Sequence, residues 1–363
     1  MCSRQSSDIK YSSFLLPDQH FCFSEFKHSL FLILAVLIIF FMSPVSSLQA
    51  ANQAEKSASL SAQIPDFTVA SSDGMPKLRV AVSILPVKYL LDRVGGEYVE
   101  TVALLPAGAD VHSYEPKPLQ LVSLSKANIY FSMDIPFEEA WLPRFLAVHP
   151  KLKVVKFKEL IAEIPNEIEN TSIKNNPQSS MGGDADYRYH DEHSEMHIWL
   201  SPVILEKISQ VIAITLSTYM PDREVYFQKN YRMLQNELRE LDEEILSAAQ
   251  RLPAEKKIFM VYHPAWECFA QRYGLTQLAI EQDGKEPSPA HLAATFKTAR
   301  EYGVNVMFVH REIDPSMAQK LVSQLPGGKV VVLDPMGYNC LDSIRAAAKA
   351  ILGATGQLEQ LSE

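Results

Sequence analysis

The chain has 363 residues, too many for one small core and enough for two domains of ordinary size. Its formal net charge at pH 7 is −9, which argues against nucleic acid as a partner. The charged residues of the first fifty positions cancel, so the acidic excess belongs to the rest of the chain. An acidic surface is compatible with the handling of cations.

An apolar run near the N-terminus predicts export. Leu30 to Met42 is unbroken by polar residues, follows Lys27 and His28, and is followed by Pro44 and small residues. The run has about thirteen residues, whereas a membrane-spanning helix needs roughly twenty. We therefore predict a cleaved signal peptide over residues 1–50, with an uncleaved anchor as the alternative. No cysteine follows the run closely enough for lipid attachment, so a soluble periplasmic chain is expected.

Four cysteines are present, and Cys2 and Cys22 precede the apolar run. Cys268 and Cys340 remain as an even pair in an oxidising compartment, which predicts a disulfide between them. The alternative is two buried thiols.

After a polar, flexible segment over residues 51–76, short β-branched runs alternate with helical patterns, which indicates a parallel α/β domain. In residues 77–220 the predicted strands lie near Leu78–Ile84, Val99–Leu105, Ile129–Ser132 and Lys153–Phe157. The helices between them are predicted to begin near Pro86, Pro116 and Pro136, because proline suits the first helical turn. A further helix is predicted to start near Pro202.

The same rhythm returns in residues 253–363. Strands are predicted near Lys257–Tyr262, Thr276–Ile280, Val304–Val309 and Lys329–Leu333, and helices near Pro264, Pro289, Pro315 and Leu341. Between the halves, the linker over residues 221–252 has apolar residues at helical spacing and no glycine or proline from Asp222 to Leu252, which predicts a long rigid helix. The predicted fold is therefore two similar parallel-sheet α/β lobes joined by a long helix.

Four separated residues predict a metal site. His112, His263 and Asp334 follow predicted strands, at the carboxyl ends where open α/β sheets bind ligands. His197 instead precedes the helix that starts near Pro202. Three imidazoles and one carboxylate suit Zn²⁺ in number and softness. Taken singly, each histidine could be a hydrogen-bonded loop residue, and Asp334 before Pro335 could be a turn former.

Other polar residues surround these four. The loop over residues 184–197 places His190 and His193 among aspartates and glutamates, so it is predicted to collect metal, with an ordinary solvated loop as the alternative. His310 and Glu281 also follow predicted strands, and we expect them to contact the metal ligands rather than the metal, with a plain surface residue as the alternative for His310.

Several motifs together resemble one known family, the zinc- and manganese-binding receptors of ABC-type metal importers. The matching stretches are Leu105–Gly108 with His112–Pro116, His197–Pro202, His263–Trp266 with Phe269 and Tyr273–Leu275, Gly284–Pro289, and Leu333–Pro335. They occur in order over roughly residues 78–352. The Gly284–Pro289 stretch resembles the zinc branch of the family. Met196 stands where the family commonly has proline, and His310 where glutamine or glutamate is more usual.

The resemblance implies a site in the cleft between the lobes, with His112 and His197 from the first and His263 and Asp334 from the second. It implies a monomeric, non-enzymatic receptor that captures Zn²⁺ and delivers it to the membrane permease of an ABC importer. The manganese branch usually has glutamate at the position of His263, so Mn²⁺ is the less favoured ion.

Two other classes remain as alternatives. A secreted zinc hydrolase would keep one metal position open for water, but the chain has no His-Glu-x-x-His motif, and Glu267 is a candidate base by proximity alone. A receptor for a small organic ligand or oxyanion would have a polar or aromatic cleft without converging imidazoles.

Overall fold

The computed structural model describes residues 77–162, 164, 197–281 and 287–354. The predicted signal peptide, the segment over residues 51–76, and His190 and His193 lie outside the described residues. All described residues belong to one compact unit. None of the helices in these ranges is long and apolar enough to span a bilayer.

The first lobe is a four-stranded parallel sheet with strand order β2-β1-β3-β4. Its strands are β1 Leu78–Val82, β2 Val99–Ala103, β3 Ile129–Ser132 and β4 Lys153–Lys156. Its helices are α1 Leu85–Gly95, α2 Pro118–Leu124, α3 Pro136–Val148, α4 Phe157–Ile161 and α5 Pro202–Tyr219. Prolines occupy the first turn of α1, α2, α3 and α5. A backbone N–H in the first turn has no acceptor within the helix, so proline costs no hydrogen bond there.

The second lobe repeats this plan with strand order β6-β5-β7-β8, again all parallel. Its strands are β5 Ile258–Val261, β6 Thr276–Ala279, β7 Val306–Val309 and β8 Lys329–Val332. Its helices are α7 Glu267–Tyr273, α8 Pro289–Glu301, α9 Pro315–Val322 and α10 Cys340–Ala354. Helix α7 begins three residues later than Pro264, because Ala265 N–H bonds the His263 carbonyl and Trp266 N–H bonds the Gln277 side chain.

The long helix α6, Glu224–Gln250, connects the lobes. Its 27 residues give a rod of about 40 Å. Apolar residues at helical spacing enter a continuous core that also contains residues of both sheets; they are Phe227, Tyr231, Leu234, Leu238, Leu241 and Ile245. A smaller core packs α8 and α9 against the second sheet. The predicted fold class is confirmed.

Ion pairs hold α6 to both lobes. Glu237 accepts two hydrogen bonds from Arg93 of α1, at 3.0 and 2.6 Å. Asp242 pairs with Arg272 of α7 and accepts a 3.0 Å hydrogen bond from the hydroxyl of Tyr273. The helix therefore restrains both lobes, beyond the covalent connection.

Two further contacts connect the first lobe to the loop after β8. The indole N–H of Trp199 donates to the carbonyl of Pro335 at 2.8 Å in a buried position. The hydroxyl of Tyr338 donates to Asp92 at 2.7 Å. This loop, which follows Asp334, is thus held by residues of the opposite lobe.

The predicted disulfide is wrong. Cys268 in α7 and Cys340 at the start of α10 are buried thiols that are not bonded to each other. Both pack within the apolar core, where cysteine behaves as a small hydrophobic residue. Burial raises the pKa of the Cys340 thiol to about 12, so the reactive thiolate is not formed at neutral pH.

The pair between Asp242 and Arg272 should be essential for stability, because the two side chains are only 5% and 9% exposed. Replacing Asp242→Ala leaves the buried guanidinium without its carboxylate, which costs about 3–5 kcal/mol. We expect this loss in the free energy of unfolding, measured by urea titration of metal-free protein. The control is Glu244→Ala, whose partner Arg345 is 3.6 Å away and partly exposed, with an expected loss under about 1 kcal/mol. Equal losses in the two variants would contradict this assignment.

Candidate metal centre

The register of the second sheet aligns three polar side chains. Val261 of β5 lies opposite Ala279 of β6 and Phe308 of β7. Two residues further along each chain, at the carboxyl edge, come His263, Glu281 and His310. Backbone hydrogen bonds of 2.9 Å, from Glu281 N–H to the Tyr262 carbonyl and from Tyr262 N–H to the Phe308 carbonyl, continue the ladder past the strands. Side chains along a strand alternate between the two faces of the sheet. Residues at the same position along neighbouring strands, here His263, Glu281 and His310, therefore lie on the same face.

His112 lies in the loop after β2 of the first lobe, and its position is set by Asp110. The carboxylate of Asp110 accepts hydrogen bonds from His112 N–H at 2.9 Å and from the Ser113 hydroxyl at 2.6 Å. Burial alone would raise the pKa of Asp110, but these hydrogen bonds lower it below its ordinary value. The ionised Asp110 therefore holds the turn that presents the exposed ring of His112.

His197 stands directly before a short 3₁₀ turn, Ile198–Leu200, that leads into α5. It is only 6% exposed, and its ring centroid lies 5.2 Å from that of Trp199. Burial lowers the pKa of His197 well below its ordinary range, so the ring is neutral and retains a lone pair.

Three histidines converge between the lobes. One ring nitrogen each from His112, His197 and His263 lies within 4.8 Å of the other two. Their ring centroids are 5.2 to 6.5 Å apart. This group therefore joins two segments of the first lobe to one of the second.

The rings line a cavity of about 350 Å³. A fourth imidazole, His310, lines it as well, with its centroid 5.3 Å from that of His263. Three carboxylates also face the cavity, those of Asp110, Glu281 and Glu312. Imidazole and carboxylate donors in one cavity could hold a divalent transition metal.

Glu281 fixes the ring of His263. Its carboxylate lies 2.5 Å from Nδ1 of that ring. With Nδ1 protonated and donating to the carboxylate, Nε2 is left unprotonated and available to a metal, as in the carboxylate–histidine pairs of metal sites. The expectation that Glu281 contacts a candidate ligand agrees with this geometry.

Asp334 follows β8 as predicted but does not join the three histidines. One carboxylate oxygen accepts a 3.1 Å hydrogen bond from Met336 N–H, and the other lies 3.4 Å from Nε of Arg311. Its neighbours Pro335 and Met336 line the cavity instead. In this structure Asp334 serves as the turn former that an Asp-Pro sequence commonly provides.

Sequence analysis did not single out Asp110, Glu312 or Trp199. The role of Asp110 could have been predicted, because an aspartate in a loop commonly accepts a hydrogen bond from the backbone N–H two residues later, here that of His112. The hydrogen bond from Trp199 to Pro335 could not have been predicted from a local pattern, since it joins residues 136 positions apart.

Comparisons with known proteins agree with the motifs. The family model described as "Zinc-uptake complex component A periplasmic" matches residues 80–352. The zinc-binding lipoprotein AdcA of Streptococcus pneumoniae is 28% identical over 297 residues, covering 77% of this chain and 56% of AdcA. The chain thus spans a little over half the length of that relative. The high-affinity zinc uptake system protein ZnuA of Bacillus subtilis is 26% identical over 263 residues, covering 72% and 79%.

Solved structures give the same result. A crystal structure of ZnuA superposes with a TM-score of 0.65 at 29% identity, covering 77% of this chain and all of that one. A zinc-bound deletion mutant of ZnuA gives a TM-score of 0.64 at 30% identity, covering 78% and 99%. The resemblance found in the motifs is confirmed. Because the family model matches most of its length, the chain belongs to the family of periplasmic component A of zinc-uptake complexes.

Proposed function

We propose that this protein is an extracytoplasmic zinc receptor that captures Zn²⁺ and delivers it to the membrane permease of an ABC-type importer. The observation that carries the proposal is the convergence of His112, His197 and His263 on one point between the lobes. The zinc-binding relatives and the zinc-bound structure support the same cargo. The protein acts as a monomer, reaches its compartment through the signal peptide over residues 1–50, and catalyses no reaction.

The donor set favours zinc over manganese. Nitrogens bound to one zinc ion at about 2.0–2.1 Å would lie about 3.3 Å apart, so modest side-chain rotations would close the present spacing. Mn²⁺ prefers carboxylate, carbonyl and water oxygens, whereas neutral imidazoles suit zinc, copper and nickel. The donor set does not decide between these last three ions, and the zinc-binding relatives favour zinc.

The exposures of the ligands indicate how the ion enters and leaves. His197 is buried and His263 is held by Glu281, whereas His112 is exposed on a loop of the first lobe. Zinc would therefore meet His197 and His263 through the cavity and be enclosed by His112 last. Because α6 and the Trp199–Pro335 hydrogen bond restrain the lobes, release to the permease would involve this loop more than a large hinge motion.

The predicted roles of Asp334 and of the loop over residues 184–197 stay predictions. Asp334 would have to leave Arg311 and Met336 in order to bind the ion. The loop over residues 184–197, with His190 and His193, would act as an auxiliary site that collects zinc near His197.

The other classes find less support. For a zinc hydrolase, the candidate base Glu267 accepts hydrogen bonds from Gln271 and Gln277 and is not among the residues that line the cavity. For a receptor of organic ligands, the four imidazoles facing the cavity would have no role.

Metal binding tests the proposal directly. Metal-free protein lacking residues 1–50 should bind one zinc per chain, and bind it more tightly than manganese, in competitive titrations with elemental analysis. Replacing His263→Ala removes a donor. Zinc affinity should fall by more than about 10–100-fold, which is the loss typical of mutating a residue that contacts a ligand but not the metal. His149→Ala is the matched control, because that imidazole bonds the Ala127 carbonyl in the first lobe, away from the cavity. Preference for manganese, or unchanged zinc affinity in His263→Ala, would refute the proposal.

The carboxylate of Glu281 should matter although it does not bind the metal. Glu281→Ala frees the His263 ring to rotate and change tautomer, so zinc affinity should fall about 10–100-fold, and Glu281→Gln should fall less because its amide oxygen still accepts from Nδ1. Glu312→Ala is the control, since it removes the same charge from the same cavity without releasing His263. If Glu312→Ala weakened zinc binding as much, charge rather than orientation would explain the effect.

A further inference from the structure

We propose that His310 supplies a fourth nitrogen donor to the bound metal, so that the loaded site holds four imidazoles and this residue strengthens its selectivity for zinc over manganese. The inference rests on the proposed function and deepens it, because it assigns a donor to the position that the three clustered histidines leave open.

The fold places His310 beside the cluster. It follows β7, next to β5 in the sheet, and stands level with His263 at the carboxyl edge. The centroid distance between these two rings is 5.3 Å, close to the 5.2 Å between His197 and His263. A side-chain rotation into the cavity that His310 already lines would bring it into the group.

The ring nitrogen Nε2 of His310 lacks a partner. This atom is buried and makes no hydrogen bond within the part of the chain that the structure describes. A buried polar atom without a partner is unfavourable, so such atoms usually call for an explanation.

The oxygen donors nearby have other partners. Asp334 accepts from Met336 N–H and faces Arg311, Glu281 lies against Nδ1 of His263, and Asp110 holds the His112 turn. The Glu312 carboxylate is the remaining acid at the cavity, on an exposed residue. An imidazole whose Nε2 is buried without a partner therefore competes well for the fourth position.

Selectivity follows from the type of donor. Replacing an oxygen by an imidazole makes the site softer, which favours zinc and disfavours manganese. The three cavity carboxylates would then balance the charge of the ion without binding it directly.

Nitrogen NMR of the histidine rings tests the proposal. Protein comprising residues 51–363, labelled with ¹⁵N at histidine, is titrated with zinc alone. Four ring nitrogens should move to the shift of metal-bound imidazole. The variant His310→Gln should reduce the number to three, while His149→Ala, which removes an imidazole outside the cavity, should leave four. The wild-type count does not depend on how well any variant folds.

Other results would separate the two proposals. Three metal-bound nitrogens in the wild type, unchanged in His310→Gln, would overturn the role of His310 and leave the zinc receptor intact. No metal-bound nitrogen at all would overturn both. Metal competition adds a second readout, because His310→Glu should lower the ratio of zinc to manganese affinity, and an unchanged ratio would contradict the selectivity role.

Discussion

Helix α6 fixes the distance between the two lobes, and the cluster of imidazoles depends on that distance. His112 and His197 belong to the first lobe and His263 to the second, so their nitrogens meet only if the lobes keep their spacing. The helix maintains it through a core shared with both sheets and through the pairs of Glu237 and Asp242. A rigid frame of this kind lowers the entropy cost of bringing ligands together when an ion binds.

Within that frame, desolvation and register prepare the donors chemically. Burial keeps His197 neutral, Glu281 selects the tautomer of His263, and the alignment of β5 with β7 brings His310 to the same level. The carboxylates of the cavity attract a cation without occupying the nitrogen positions. Selectivity for zinc then arises from the type of donor, while the exposed His112 loop allows exchange.

Much of this organisation could be predicted from the sequence, because short β-branched runs bounded by proline and polar residues define strands. The run Ile129–Ser132 matches β3 at both ends, and the histidines that follow strands meet where parallel sheets bind ligands. What could not be predicted from the sequence depends on tertiary distances and on strand register. Whether Cys268 bonds to Cys340 depends on the distance between them, which the number of cysteines does not reveal. Whether Asp334 binds metal or forms a turn depends on neighbours such as Arg311, and the place of His310 depends on strand register.

The most direct test of the account is a crystal structure of the zinc-loaded protein with anomalous diffraction recorded on both sides of the zinc absorption edge. We expect one strong zinc peak per chain, within bonding distance of nitrogens of His112, His197 and His263, with the lobes little changed in their relative position. A peak bound elsewhere, or no peak in the cleft at saturating zinc, would contradict it.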